Sequence, residues 1–191
     1  FQALCDGSAS KKEMKALVSA LLPVIAGPGR HMFAAKVSLL QHEDGVAIFE
    51  SMHRTLGNED IDADFGTAKL AKELDLGKVA PTAEAQDLVA TVRHYGYRSA
   101  HEGVGVAWAL ERRWPVLADQ LAKALVDHYG VSKGAVRFLT DLADQRLATE
   151  SRIRSLVERY LVDPYDVYEA RRAAREATWC LTALLESVEG K

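Results

Sequence analysis

Ala107-Trp108-Ala109-Leu110-Glu111-Arg112-Arg113-Trp114-Pro115 is the stretch on which the architecture turns. Advancing each residue by about 100° puts Val104, Ala107 and Trp108 on one arc of a helix. Pro115 then imposes a restart, because proline lacks the N–H that a helix interior needs and suits a first turn. The stretch reads as the end of one apolar helix and the start of the next.

The same grammar continues outward in both directions. Upstream, Ser10-Lys11-Lys12-Glu13 has the Ser-x-x-Glu form of a capping box, in which each side chain satisfies an orphan amide of the first turn. Met14, Leu17, Val18, Leu21 and Leu22 follow at helical spacing, and Gly27-Pro28-Gly29 is expected to end that helix. A second helical region is expected from about Arg30 to Leu56, with a break near Glu43. A third starts near Asp62 or Asp64 and carries Phe65, Leu70 and Leu74. Thr82 is the N-cap of a fourth, expected to run to about Arg113 with kinks at Gly103 and Gly105. Downstream, the helix restarted at Pro115 closes at Tyr129-Gly130. Ser132 is expected to cap a helix reaching about Leu161. Asp163-Pro164 is an N-cap followed by Pro at the first helical position, opening a last helix to about Val188. No stretch alternates with period two and β-branched enrichment, and no repeat or low-complexity segment stands out. The fold class is all-α: about seven or eight helices in one bundle, a single domain over 1–191.

The 191 residues include 48% apolar and 27% charged residues, the balance of a globular protein that needs no staples for its core. A net charge of −3 and a pI near 6.1 give no footprint for nucleic acid. No apolar run approaches the ~20 residues that span a bilayer, so no membrane association is expected. No signal peptide is visible. Cys5 and Cys180 form neither a zinc motif nor a disulfide framework. They read as two reduced thiols in a cytoplasmic protein. The chain opens on Phe1, not Met, so residues before it are expected.

Function in such a sequence is sought where an ionisable residue falls on a core-facing stripe. Tyr97, His101 and Glu111 share the arc of Val104, Ala107 and Trp108, with His94 at its edge. A buried Glu111 would have to pair, bind a metal or take up a proton. It is either a structural salt bridge or a site residue. His94 is more simply a surface residue. Between Val136 and Leu161, Arg146, Glu150 and Arg154 fall four apart on the arc of Val136, Leu139, Ala143, Val157 and Leu161. They are either a ladder of ion pairs or the wall of a pocket in which Arg holds an anionic group and Glu150 acts as a base. Asp141 and Asp144 lie on the other side, solvated. Glu50-x-x-His53 has the spacing of helical-bundle metal sites, as well as a spacing common by chance. Glu59, Asp60, Asp62 and Asp64 read as a loop and helix start, and Arg171-Arg172-Arg175 as a solvated face. Gly-rich phosphate loops, nucleophile elbows and zinc motifs are absent.

The order of segments resembles the haem-oxygenase-like superfamily, which includes TenA-type thiaminases, the PQQ-synthesis oxidase and the haem-oxygenase-like di-iron oxidases. The resemblance is carried by the opening Leu4-x-Asp6-Gly7 run before the first long helix, by Ala107 to Pro115, and by His128-Tyr129-Gly130 followed by Arg137-Phe138-Leu139. It implies a helical bundle around a central cavity. Of the di-iron ligand set only Glu111 has a counterpart. The late His-x-x-x-Asp-x-x-His motif falls on Asp141, Gln145 and Ala148, or on Arg146, Glu150 and Ile153. The early positions fall near Asp64 and near Gly57 or Glu59. The thiaminase nucleophile has no counterpart either.

The resemblance and the polar stripes together give the functional expectation. It is a small-molecule tailoring enzyme of specialised metabolism, without the family's metal pair and without a cofactor. Glu111 or Glu150 is the general base, Tyr97 or His101 the donor, and Arg146, Arg154 and Trp108 bind an anionic substrate. One alternative is an iron oxidase or oxygenase using Glu50, His53, His101, Glu111 and Glu150. Another is a non-catalytic binding or partner protein with the same fold. A homodimer is an open possibility.

Overall fold

The computed structural model describes residues 1–38, 66–77, 81–144 and 146–187. Every regular element among them is a helix. A short α1 (Gln2–Cys5) precedes α2 (Lys11–Ser38), α3 (66–73), α4 (Ala83–Arg98), α5 (Ala100–Glu111), α6 (Trp114–Asp127), α7 (Arg137–Asp144), α8 (Arg146–Tyr160) and α9 (Pro164–Glu186). None of these helices is long and apolar enough to cross a membrane.

Several starts follow from caps legible in the sequence. Ser10 and Glu13 exchange the two hydrogen bonds of the capping box at 3.2 and 2.7 Å. Thr82 accepts from the Ala85 N–H. Asp163 accepts from the N–H groups of Tyr165 and Asp166, with Pro164 in the first turn. The stops are less faithful. Gly27-Pro28-Gly29 does not end α2, which runs on to Ser38. Each Pro removes only one ladder bond, and the N-terminal half of α2 is anchored by Met14, Leu17, Val18, Leu21, Leu22 and Val24 in the core. The helix expected from 83 to 113 is two. Ser99 adopts φ −153°, ψ 158°, ending α4 and capping α5, so the break falls there and not at Gly103 or Gly105. The helix expected from 132 to 161 is also two, α7 and α8. Ser132 caps neither of them. It donates its N–H and its hydroxyl (2.7 Å) to Glu73, tying the loop after α6 to the end of α3.

α5 is the central element, packing on α9, α4, α8 and α2. Its residues from Glu102 to Ala107, then Ala109 and Leu110, are all buried, as a helix surrounded by others requires. The glycines serve approach, not bending. A Cβ on Gly105 would collide with the Ala170 carbonyl oxygen, so α5 and α9 meet there backbone to backbone. α8 leans on α5 through a small separate cluster of Val104, Leu156 and Tyr160. Two of the segments that carry the family resemblance, the opening run and His128-Tyr129-Gly130, also meet. Gly7, at φ +76°, lies against the His128 ring, and Tyr129 donates its hydroxyl to the Ala9 carbonyl at 3.0 Å.

Candidate functional site: an arginine-lined cleft between α5 and α9

α5 carries polar groups at both ends, and they do different work. At its start Ser99 accepts from the Glu102 N–H at 3.2 Å. The Glu102 side chain, 2% exposed, turns inward. It accepts from the Ser99 hydroxyl and lies 2.6 Å from Nη2 of Arg172 and 3.5 Å from Nη1 of Arg98. The same Arg172 nitrogen reaches Glu169 at 2.6 Å. The guanidinium lies over the Tyr95 ring, 5.9 Å from its centroid. The Glu102 hydrogen bond raises the Arg172 pKa further, and burial together with a hydrogen bond to Glu176 raises that of the Tyr95 phenol. A buried carboxylate so fully engaged is a clamp on α4, α5 and α9.

This corrects the sequence reading in two places. The fully buried carboxylate of α5 is Glu102; Glu111, at the last turn, is half-buried. Arg172, expected on a solvated face, points into the interior. The signal in the sequence is Ser99-x-x-Glu102, a second capping-box pattern that marks the start of α5 within the apolar stretch 83–113.

His101 also belongs to the first turn of α5, with Nδ1 3.0 Å from Oδ1 of Asp166. Glu111 follows ten residues later, about 15 Å along the axis. A helical projection gives direction around the axis but not height along it, so the shared arc did not bring the two together. The backbone of Tyr97 lies in the last turn of α4, on the other side of the Ser99 break; its side chain is outside the described set, as is that of Arg146. His94 is exposed, as are Asp141 and Asp144.

On α8 the buried face is Ile153, Leu156 and Tyr160. Arg154, one position from Ile153, is exposed, and Glu150 is half-buried. Arg154 is therefore not on the inward face expected for it, because the arc of α7 does not carry through the break between α7 and α8. Glu50, His53 and the acidic residues from Glu59 to Asp64 lie outside the described residues. Among the described residues, no three His, Cys, Asp or Glu side chains come together as metal ligands.

The other end of α5 opens onto a cleft of about 510 Å³, walled by Trp108, Ala109, Arg112 and Arg113 on one side and Ala174, Arg175 and Thr178 of α9 on the other. Arg112 lies over the Trp108 ring, 4.7 Å from its centroid, and its Nη2 is 3.6 Å from Oε1 of Glu150. Trp108 and Glu150, both expected at the site, are thus linked through Arg112. Arg112, Arg113, Arg175 and Thr178 were not anticipated. The lining holds three guanidinium groups and no carboxylate.

Among solved structures, a domain of unknown function with a haem oxygenase-like fold from Shewanella denitrificans aligns with 98% of this chain and 82% of its own, with a TM-score of 0.74 at 12% identity. The chain has a haem oxygenase-like fold. No family model matches the sequence, and no curated protein matches it. In this haem oxygenase-like bundle α5 is the central helix, and the arginine cleft lies along its C-terminal half.

Proposed function

We propose that this protein is a small-molecule tailoring enzyme that performs acid–base chemistry on an anionic substrate held in the cleft between α5 and α9. The observation that carries this reading is the convergence of Arg112, Arg113 and Arg175 with Trp108 on one cleft of about 510 Å³. That volume lies within the roughly 300–1,000 Å³ of small-molecule sites. Guanidinium forks match carboxylate and phosphate oxygens, and an indole offers a face for a flat ring.

Glu150 is the proton acceptor of choice, since it stands beside a lining residue. Glu111, half-buried in the same turn as Arg112, is the second candidate. An anionic substrate competes with Glu150 for Arg112. Once Arg112 turns to the substrate, the carboxylate loses its cationic partner beside the reacting molecule. It then takes a proton from substrate carbon or oxygen, and the charge left on the substrate is stabilised by the surrounding guanidinium groups. His101 and Arg154 have no part in this scheme. It requires neither a metal nor a cofactor.

The test is depletion of a panel of anionic aromatic metabolites, followed by mass spectrometry. At least one should be consumed by the wild type and spared by Arg175→Ala. Glu150→Gln should slow the reaction by about 10²–10⁴-fold, or Glu111→Gln if that is the base. A molecule that occupies the cleft and is returned unchanged makes the protein a binding module instead.

A further inference from the structure

Resting on the cleft reading above, we infer that the anionic group it takes is a phosphate monoester dianion, held between Arg113 and Arg175 from opposite walls, with the rest of the substrate beside Trp108. The argument is one of charge and of donor inventory. Arg112 is partly neutralised by Glu150. Arg113 and Arg175 are both exposed, and neither makes an ion pair with a described residue. They belong to separate segments, one at the α5–α6 junction and one on α9, so no helix geometry obliges like charges to share this space. Two uncompensated cations facing one cleft call for two negative charges.

The lining's polar side chains are three guanidiniums, an indole N–H and the Thr178 hydroxyl. Apart from that hydroxyl they only donate hydrogen bonds. The complementary group is rich in acceptors and has no donors. A phosphate monoester offers three terminal oxygens and nearly two charges at neutral pH. A monocarboxylate offers two oxygens and one charge, and would leave one guanidinium uncompensated. A diphosphate shares the chemistry of the monoester.

Phenyl phosphate, inorganic phosphate, benzoate and malonate are the probes, titrated calorimetrically into the full chain at low ionic strength and pH 7.5. Phenyl phosphate should bind at least tenfold more tightly than benzoate. Arg113→Ala and Arg175→Ala should each weaken it by about ten- to a hundredfold, the range for a charge-assisted hydrogen bond. Glu150→Gln should tighten it by removing the competitor for Arg112. Both arginines are exposed, so these variants keep the fold. Benzoate or malonate binding as well as phenyl phosphate overturns the phosphate assignment and leaves the anion cleft standing. Phosphate binding that ignores both arginine substitutions overturns the assignment as well. If none of the four anions binds, the cleft reading fails with it.

Discussion

The guanidinium of Arg172 reaches to 2.6 Å from the carboxylate of Glu102, joining α9 to the first turn of α5 inside the protein. Glu102 is the one carboxylate of α5 that is fully enclosed, and it is satisfied by Arg98 of α4, Arg172 of α9 and the Ser99 cap between α4 and α5. Its role is to hold the helices that form the cleft walls in register.

Glu102→Ala should therefore destabilise the fold by about 2–3 kcal/mol, the worth of hydrogen bonds to a charged group. Glu169 remains to compensate Arg172 and limits the loss. Urea unfolding measures it. A change below about 0.5 kcal/mol would mean that the clamp is ornamental.

Gly105→Ala places a methyl group against a backbone carbonyl that has no rotamer in which to escape. Overpacking of this kind costs about 1–3 kcal/mol, and more where backbone must shift. Gly77→Ala meets nothing within 4 Å and should leave the unfolding midpoint unchanged. If both substitutions had equal effect, the close approach of α5 to α9 would be refuted.

Leu156→Ala removes a large part of the small cluster that seats α8 on α5. Buried Leu→Ala changes cost about 2–5 kcal/mol. Because the cluster is separate from the main core, amide exchange in α8 should accelerate before exchange in α4 or α6. Uniform acceleration across all helices would contradict this.

The acid limit of stability follows from four exposed carboxylates that accept local hydrogen bonds. Hydrogen bonds to Ser8, Ser10 and Ser132 hold the carboxyls of Asp6, Glu13 and Glu73 below their usual range, and the amides of Tyr165 and Asp166 do the same for Asp163. The folded state thus binds these protons less readily than the unfolded chain. The stabilisation is complete above the unfolded values near pH 4 and fades as pH falls through the lower folded ones. The urea midpoint should decline below about pH 4.5, and Glu73→Gln with Asp163→Asn should flatten that decline. An acid limb unaltered by the double substitution would exclude these carboxylates as its source.

Helix starts were legible in this sequence because caps are local. Ser10, Thr82 and Asp163 each act within three residues of where they stand. Ser99 speaks the same local language, yet its message was overridden by the apolar run around it. Stops were harder to read: Gly27-Pro28-Gly29 looks like an end by propensity, and the helix passes through it. The places of Trp108 and Glu150 on helix faces were legible, and the structure puts Trp108 in the cleft lining and Glu150 beside Arg112, but those faces do not continue across the breaks at Ser99 and between α7 and α8. That is why Glu111 was expected deeper than it lies and Arg154 was expected inside. Arg175 could not be found from sequence, since it meets Arg113 only through the packing of α9 on α5.

The contact of Gly105 with Ala170 also bears on the cleft. Trp108 and Ala174 stand about one turn further along each helix. The separation of α5 and α9 next to the cleft is therefore set by main chain meeting main chain, whereas its charge comes from the exposed side chains of Arg113 and Arg175. Spacing belongs to the skeleton and charge to the side chains, so substitutions can alter one and leave the other.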